Sequence, residues 1–248
     1  MKSESTSDEN LVRKKWKALR FFIQQLLSSE VKDSIAKIIL FGSLKDGKVE
    51  EGSDIDLFIV ALNWLQQVGE TCDEASLETA LRFDESIQPL VACIDELRNS
   101  DVYFFRRVLE NQEEVYTMAE EEIQKGQAGN YLALAVEYFE QSRSNLELSN
   151  YRLIIDGSYN AAELCAKGLL ILKGEDIPKK HGSVVQIFSR LYIKSEELPR
   201  EIGRALNQGL RLRNRARYEY HADITEREAK AALDLAEKMV KALEDKLA

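Results

Sequence analysis

Residues 40–58 decide the fold of the first half of the chain, and they read LFGSLKDGKVEEGSDIDLF. The run that ends at Gly42 is short and rich in isoleucine, and from Asp54 onward polar and apolar residues alternate with a period of two. Both patterns are typical of β-strands, which we predict at 35–41 and 54–60. The glycines and polar residues between these strands favour a loop.

Asp54 and Asp56 stand two residues apart at the start of the second predicted strand. Because side chains alternate across a strand, both carboxylates should project from the same face of it. Two like charges so close together repel each other unless a cation lies between them. Mg²⁺ is commonly bound by one or two carboxylates together with substrate phosphates, so this pair predicts a Mg²⁺ site.

Gly42 and Ser43 follow directly on the first predicted strand. The missing side chain of the glycine lets backbone N–H groups approach a phosphate, and the serine hydroxyl adds a donor. Lys45 either adds its charge to the same phosphates or is an ordinary solvated lysine of the loop. One loop is therefore predicted to hold a triphosphate next to the strand that holds the metal.

The rest of the first half supplies the other elements of an α/β domain. Apolar residues at spacings of three and four predict an amphipathic helix over 11–27, and residues 74–83 also read as a helix. Residues 87–94 predict a third strand, in which Pro89 favours an edge position or a bulge. The order of these elements indicates an α/β (α+β) fold around a short mixed sheet.

From about residue 118 the pattern is helical throughout. Helices are predicted around residues 131–146, 161–169, 184–191, 201–220 and 225–247. The last of them begins with Thr225 and Glu228 at the spacing of a capping box. We therefore predict an α/β domain at 1–120 and an all-α domain at 121–248.

Composition narrows the classes of function. The chain has 248 residues and a formal net charge of −9, which argues against a protein that coats nucleic acid through bulk electrostatics. The polar N-terminus and the shortness of every apolar run predict a cytoplasmic protein without a membrane segment. Cys72, Cys93 and Cys165 lack the paired spacing of a zinc or redox site and read as reduced thiols.

Residues 40–58 resemble the DNA polymerase β-like nucleotidyltransferase superfamily, specifically its minimal nucleotidyltransferase branch. The match rests on the following residues and the apolar positions around them: Gly42, Ser43, Gly47, Ser53, Asp54 and Asp56. The resemblance implies that Asp54 and Asp56 are catalytic metal ligands and that the loop from Gly42 to Ser53 binds the nucleotide. A nucleoside triphosphate then loses pyrophosphate as its nucleotidyl group passes to a hydroxyl acceptor. An acidic β-hairpin with an Asx-rich turn is the structural alternative.

The sequence departs from that family at the third carboxylate. Family members commonly carry an Asp or Glu on the following strand, and Gln88 stands at that position here. A neutral amide cannot accept a proton near pH 7 and is a poor replacement for a charged ligand. Asp84 or Glu85, in the preceding loop, is the alternative source of a third carboxylate. Binding of Mg²⁺ and nucleotide is thus predicted more firmly than turnover.

The second half resembles HEPN domains (higher eukaryotes and prokaryotes nucleotide-binding), which are up-down helical bundles, over about residues 125–247. The resemblance rests on four segments that occur in the family's order, at residues 131–139, 157–170, 180–185 and 213–221. Many minimal nucleotidyltransferases are encoded beside a HEPN partner or fused to one. The resemblance implies a toxin–antitoxin-like fusion and a homodimer formed through the HEPN domain.

Some HEPN domains are metal-independent ribonucleases that use an Arg and a His near the end of a helix. Arg215 and His221 fit this loose spacing, in which the arginine stabilises phosphate charge and the histidine moves a proton. In the ribonuclease branch the pattern is Arg-Asn, three residues and His, so Arg213-Asn214 places Tyr218 at the histidine position. Alternatively, His221 is stabilised by the dipole at a helix C-terminus.

Two further features of the second half have alternative interpretations. The cluster Arg211, Arg213, Arg215 and Arg217 is either a phosphate-binding patch or a set of surface ion pairs. His181 is expected to cap a helix. By analogy with paired systems in which the helical partner is adenylylated, the hydroxyls of Tyr218 and Tyr220 are candidate acceptors.

These observations predict a Mg²⁺-dependent nucleotidyltransferase that transfers AMP from ATP to a hydroxyl on protein, RNA or a small molecule. The first alternative is a nucleotide-binding regulatory and dimerisation protein in which Gln88 marks weakened chemistry. The second is a HEPN ribonuclease.

Overall fold

The computed structural model describes residues 2–99 and 112–248. The chain forms two compact units, Met1–Ile123 and Gln124–Ala248. Among the described residues, no helix combines the length and the apolar character needed to cross a bilayer.

The first unit is an α/β domain in which helices and strands are mixed along the chain. They are α1 (Lys2–Leu27), a 3₁₀ turn (Lys32–Ser34), β1 (Ile35–Phe41), β2 (Ile55–Ala61), α2 (Leu65–Phe83), β3 (Ile87–Cys93), α3 (Ile94–Asn99) and β4 (Glu113–Thr117). The three strands predicted from the sequence are therefore present.

The four strands form one mixed sheet in the order β3-β2-β1-β4. β1 pairs antiparallel with both β2 and β4, whereas β2 and β3 run parallel and are joined by α2. A parallel pair needs such a crossover, because the chain must return to the same end of the sheet. β3 is an edge strand, as Pro89 predicted.

The two faces of the sheet pack into different cores. Ile55, Leu57 and Ile59 of β2 belong to the cluster that includes α1 and α2, while Phe58 and Val60 belong to the cluster on the opposite face. Side chains alternate along a strand, so the face of β2 that carries Asp56 is turned away from α1 and α2.

The second unit is helical, as predicted. Its elements are α4 (Glu120–Ser144), which begins at the end of the first unit, α5 (Tyr151–Ile171), α6 (His181–Phe188) with a following π-helical turn (Ser189–Ile193), α7 (Arg200–Tyr218) and α8 (Glu226–Leu247). α5 forms the centre of this unit and packs along α8, where a Cβ on Gly168 would lie 2.7 Å from Leu243 Cδ2. α8 begins with the expected capping box, in which Glu228 Oε2 accepts from Thr225 N at 3.0 Å.

Candidate functional site

The start of β2 lies between the end of β1 and the start of β3. In the register of the sheet, Asp56 is opposite Phe41 on one side and Gln88 on the other. Asp54 directly precedes the strand, and Gly42 directly follows Phe41. The residues predicted to hold metal and triphosphate are therefore gathered at one end of the sheet.

Gly42 is in direct contact with the Asp56 carboxylate. Its φ is +76°, and a Cβ at this position would lie 2.1 Å from Asp56 Oδ2. Only glycine satisfies both the backbone conformation and the close approach. The loop then turns back on itself, because Gly42 O accepts from Asp46 N at 3.2 Å and Ser43 O accepts from Lys48 N at 3.0 Å.

The electrostatics of the Asp54–Asp56 pair follow from the position of the two side chains. Burial raises the pKa of the Asp56 carboxyl, and the negative charge of Asp54 raises this pKa further. Two carboxylates that share a site without a counter-charge behave in this way. Their oxygens and their mutual repulsion fit a divalent cation such as Mg²⁺, which Asp54 and Asp56 would hold.

Gln88 lies on β3 opposite Asp56, and its amide is bonded to Asp54. Gln88 Nε2 donates to Asp54 Oδ2 at 2.9 Å. Within residues 2–99 and 112–248, no group of three or more His, Cys, Asp and Glu side chains is placed to hold a metal ion. The candidate site thus contains two carboxyl groups and one neutral amide.

Two other residues of the predicted nucleotide site have partners within their own loop. Lys45 Nζ lies 3.2 Å from Asp46 Oδ1, so the ammonium is balanced by a neighbouring carboxylate. Ser53 Oγ donates to Glu50 O at 2.9 Å and closes a turn. Both side chains shape the loop in this structure.

Glu85 does not supply the missing carboxylate. It is 7% exposed and its Oε2 lies 2.5 Å from Nζ of Lys15, which is fully buried on α1. Lys15 also donates to the backbone carbonyl of Ser53. Sequence reasoning missed this lysine, although its position four residues from both Leu11 and Leu19 puts it inside the apolar stripe of α1.

Arg213, Arg215 and Arg217 lie near carboxylates on other helices. Arg213 is 5% exposed, and its Nε lies 3.2 Å from Asp156 Oδ1 on α5, which Arg217 also approaches at 3.8 Å. Arg213 donates to Asn214 Oδ1 at 3.3 Å. Arg215 points elsewhere and donates to Glu228 Oε1 at 2.6 Å. Three arginines of the predicted cluster are therefore divided between Asp156 and Glu228.

His221 lies beyond the end of α7, which is at Tyr218. The histidine is exposed, and its ring packs edge-to-face on Tyr220 at 4.9 Å between centroids. None of the contacts among the described residues joins His221 to Arg213 or Arg215. Tyr218 and Tyr220 are 69% and 93% exposed.

Arg152 of α5 holds the segment that carries these side chains. Its guanidinium donates to the carbonyls of Ala216 at 2.6 Å, Glu219 at 3.0 Å and Ala222 at 2.7 Å. These acceptors include carbonyls that the end of α7 leaves without a helical partner. Arg152 thus holds the backbone on both sides of the exposed Tyr218 and Tyr220.

His181 does not cap α6 through its side chain, contrary to expectation. Lys180 is the N-cap and contributes no side-chain hydrogen bond. The imidazole Nδ1 of His181 instead lies 2.6 Å from Oε2 of the buried Glu163, which also pairs with Lys167 at 3.3 Å. The histidine ties the start of α6 to α5.

Comparisons with known proteins agree with this division of the chain. The family model described as "Polymerase beta, Nucleotidyltransferase" matches residues 23–121, and the one described as "HEPN domain" matches residues 129–246. A protein of Methanocaldococcus jannaschii that is named as a candidate toxin is 31% identical over 101 residues, which span 38% of this chain and 68% of that protein.

The chain therefore belongs to the nucleotidyltransferases of the polymerase β type that carry a HEPN domain. The mixed sheet bears the nucleotidyltransferase match, and helices α4 to α8 bear the HEPN match.

Proposed function

We propose that this protein is a Mg²⁺-dependent nucleotidyltransferase that transfers AMP from ATP to a hydroxyl group. The contact between Gly42 and Asp56 carries the proposal. It brings the loop suited to a triphosphate against one of the two carboxylates suited to the metal. Membership of the polymerase β family supports the same chemistry.

Each residue at the end of the sheet has a part in the proposed reaction. Asp54 and Asp56 would hold Mg²⁺, which when bound stabilises the charge on the phosphate oxygens. Backbone N–H groups after Gly42 and the hydroxyl of Ser43 bind the triphosphate. A bond forms between the acceptor oxygen and the α-phosphorus while the bond to pyrophosphate breaks. The acceptor proton passes to solvent, since the Gln88 amide cannot take it.

Incubation of the purified chain with α-labelled ATP and Mg²⁺ tests the proposal. We expect label on an acceptor, release of pyrophosphate, and loss of both in Asp56→Asn. Asp73→Asn is the matched control, because Asp73 is an exposed carboxylate on α2. The proposal is wrong if the wild-type chain releases no pyrophosphate with itself, added RNA or small hydroxyl compounds as acceptor.

The acceptor that we test first is a tyrosine of the chain itself. Tyr220 and Tyr218 are exposed on the segment that Arg152 holds, so their hydroxyls are open to a second molecule. Peptide mapping of the labelled chain should find AMP in the peptide that contains both residues. Label that remains in Tyr218→Phe/Tyr220→Phe would instead indicate another protein site, RNA or a small molecule.

A nucleotide-binding regulatory protein is the second candidate. The hydrogen bond from Gln88 to Asp54 favours it, because a neutral amide takes the place of the group that would accept a proton. Such a protein is stabilised against heat by ATP and Mg²⁺ but releases no pyrophosphate. The two candidates are separated by measuring both quantities on one preparation.

We also propose a toxin–antitoxin-like role for the fused units and a homodimer formed through the HEPN domain. The candidate toxin of Methanocaldococcus jannaschii supports the first part. Expression of the full chain and of Asp56→Asn should give different growth rates of the host.

Sedimentation at micromolar concentration tests the homodimer. It should give twice the mass of one chain, and a monomer would contradict the dimer.

A further inference from the structure

Lys15 joins three segments of the first unit at one buried point. Its side chain is 1% exposed, and its ammonium lies 2.5 Å from Glu85 Oε2, whose side chain is 6% exposed. The same ammonium donates to the backbone carbonyl of Ser53. α1, the end of the nucleotide loop and the α2–β3 connection thus meet at this nitrogen.

These contacts stand next to the candidate site along the chain. Ser53 precedes Asp54, and Glu85 is followed by Ser86, whose carbonyl accepts from Ile55 N at 2.9 Å. Gln88 lies three residues after Glu85 and bonds to Asp54. The lysine therefore bonds to both segments that lead into β2 and β3, and the two aspartates and Gln88 lie at the starts of these strands.

The lysine itself lies on the other side of the sheet. α1 packs on the face of β2 that carries Ile55 and Leu57, whereas Asp56 belongs to the opposite face. Its ammonium pairs with Glu85, which also pairs with Lys14 at 3.1 Å. Removal of Lys15 and Glu85 together leaves the net charge unchanged, so an effect of position can be tested separately from an effect of charge.

A buried ion pair is a costly way to hold two segments together. Replacement of such a pair by apolar residues of similar volume is often neutral or stabilising, whereas removal of one partner is strongly destabilising. Stability alone therefore does not require a lysine at position 15. The bond to Ser53 O is the feature that an apolar pair cannot reproduce.

We propose that Lys15, held by Glu85, is a positioning residue that sets the geometry of the cation site formed by Asp54 and Asp56. This inference rests on the proposed function, because it assumes that the two aspartates bind a divalent cation with the nucleotide. Groups that do not bind a metal themselves but hold its ligands in position commonly change metal affinity by about 10- to 100-fold when they are altered.

Binding of Mn²⁺ in the presence of α,β-methylene ATP tests the proposal in the full chain. Free Mn²⁺ is measured by electron paramagnetic resonance, and unfolding temperature is measured on the same samples. The main variant is Lys15→Met/Glu85→Leu, which removes the tie to Ser53 and leaves no unpaired charge from the pair. We expect about 10- to 100-fold weaker Mn²⁺ binding with an unfolding temperature near that of wild type.

Three further variants distinguish an effect of Lys15 on the cation site from a general loss of stability. Lys15→Arg keeps a buried donor and should recover most of the affinity. Lys14→Met removes the other lysine that pairs with Glu85, at 3.1 Å, but this lysine is 44% exposed and is not bonded to Ser53, so affinity should change by less than about twofold. Val68→Ala destabilises the same core without touching the ion pair and should leave affinity unchanged.

Wild-type affinity in a folded Lys15→Met/Glu85→Leu variant overturns the inference. So does a loss of affinity in Val68→Ala that matches its loss of stability. If the double variant does not fold, Lys15→Met alone is used, because Glu85 retains Lys14 as a partner. Failure of the wild-type chain to bind Mn²⁺ with the nucleotide overturns the proposed function, and this inference with it.

Discussion

Both halves of the chain carry two residues of like charge at a spacing of two. In the first half their side chains lie together, whereas in the second half they point to different partners. At Asp54 and Asp56 this spacing falls at the start of a strand, where it places both carboxylates in one site with Gln88. At Arg213 and Arg215 it falls on a helix, where one guanidinium turns to Asp156 and the other to Glu228. The same spacing concentrates charge on a strand and disperses it on a helix.

Whether like charges have partners of opposite charge distinguishes a ligand site from a structural contact. Like charges that remain together without neutralising partners form a site for a ligand of opposite charge. Charges that are each paired across helices hold the helices together. We therefore propose that a ligand binds at the end of the sheet, whereas the ion pairs of Arg213 and Arg215 stabilise the helical unit.

The largest effect is expected from Gly42→Ala. A Cβ at this position would lie 2.1 Å from Asp56 Oδ2, so binding of ATP with Mg²⁺ should fall below detection in calorimetry. Gly174→Ala is the matched control, because its φ of +72° imposes a similar backbone strain outside the predicted nucleotide loop and its new Cβ would be 3.6 Å from Gln124 Nε2, an ordinary contact. Control and variant with equal affinity would show that the contact with Asp56 does not matter.

Next in size is the effect of Arg213→Met on stability. The change removes a buried guanidinium that lies 3.2 Å from Asp156, but Asp156 is 29% exposed and retains Arg217 at 3.8 Å. It should therefore lower the free energy of unfolding by about 1–3 kcal/mol. Urea denaturation followed by circular dichroism measures this change. Arg200→Met, at an exposed pair with Glu196, should cost less than about 1 kcal/mol. A small effect at Arg213 would remove the contrast between the two regions.

Gln88→Glu sharpens the comparison by adding charge to the site. A third carboxylate beside Asp54 should raise the affinity for Mn²⁺ by about tenfold, since affinity for hard cations follows the charge of the ligands. Gln88→Ala is the control for loss of the amide. Titration of Mn²⁺ into each variant gives the answer, and an unchanged or lower affinity in Gln88→Glu would place residue 88 outside the cation site.

The smallest effect concerns the capping box of α8. The hydrogen bond from Thr225 N, together with Arg215, lowers the pKa of Glu228 from its ordinary value of 4.5. A depressed pKa means that this stability is present above pH 4.5 and is lost as the pH falls through the folded-state pKa. Glu228→Gln should lose about 1 kcal/mol at neutral pH and show a weaker decline in acid. Thermal unfolding between pH 3 and 7 measures it, and parallel curves for the two proteins would contradict the assignment.

Sequence reasoning was most successful where the deciding contacts are local. The strands β1, β2 and β3, the edge position of Pro89 and the capping box at Thr225 all follow from residues a few positions apart. β4 was missed because it is a strand of five residues, none of which is buried. α2 begins nine residues before the predicted start, at Leu65, and its first nine residues bury only Val68 and Cys72, which is too weak an apolar stripe to identify from the sequence.

The contacts that could not be predicted join distant segments. Lys15 and Glu85 are 70 residues apart, so neither residue identifies its partner in a single sequence. Arg213 was predicted to belong to a site, yet Asp156 holds it in the core from another helix. The ribonuclease alternative remains a prediction, which cleavage of RNA in EDTA by wild type and its loss in His221→Ala would support.

Calorimetric titration of ATP into the full chain, with and without Mg²⁺, tests whether Asp54 and Asp56 bind the metal together with the nucleotide. We expect binding that requires Mg²⁺ and that disappears in Asp54→Asn/Asp56→Asn, while Asp73→Asn binds as wild type does. Equal binding with and without Mg²⁺, or binding that persists in the double variant, would contradict it.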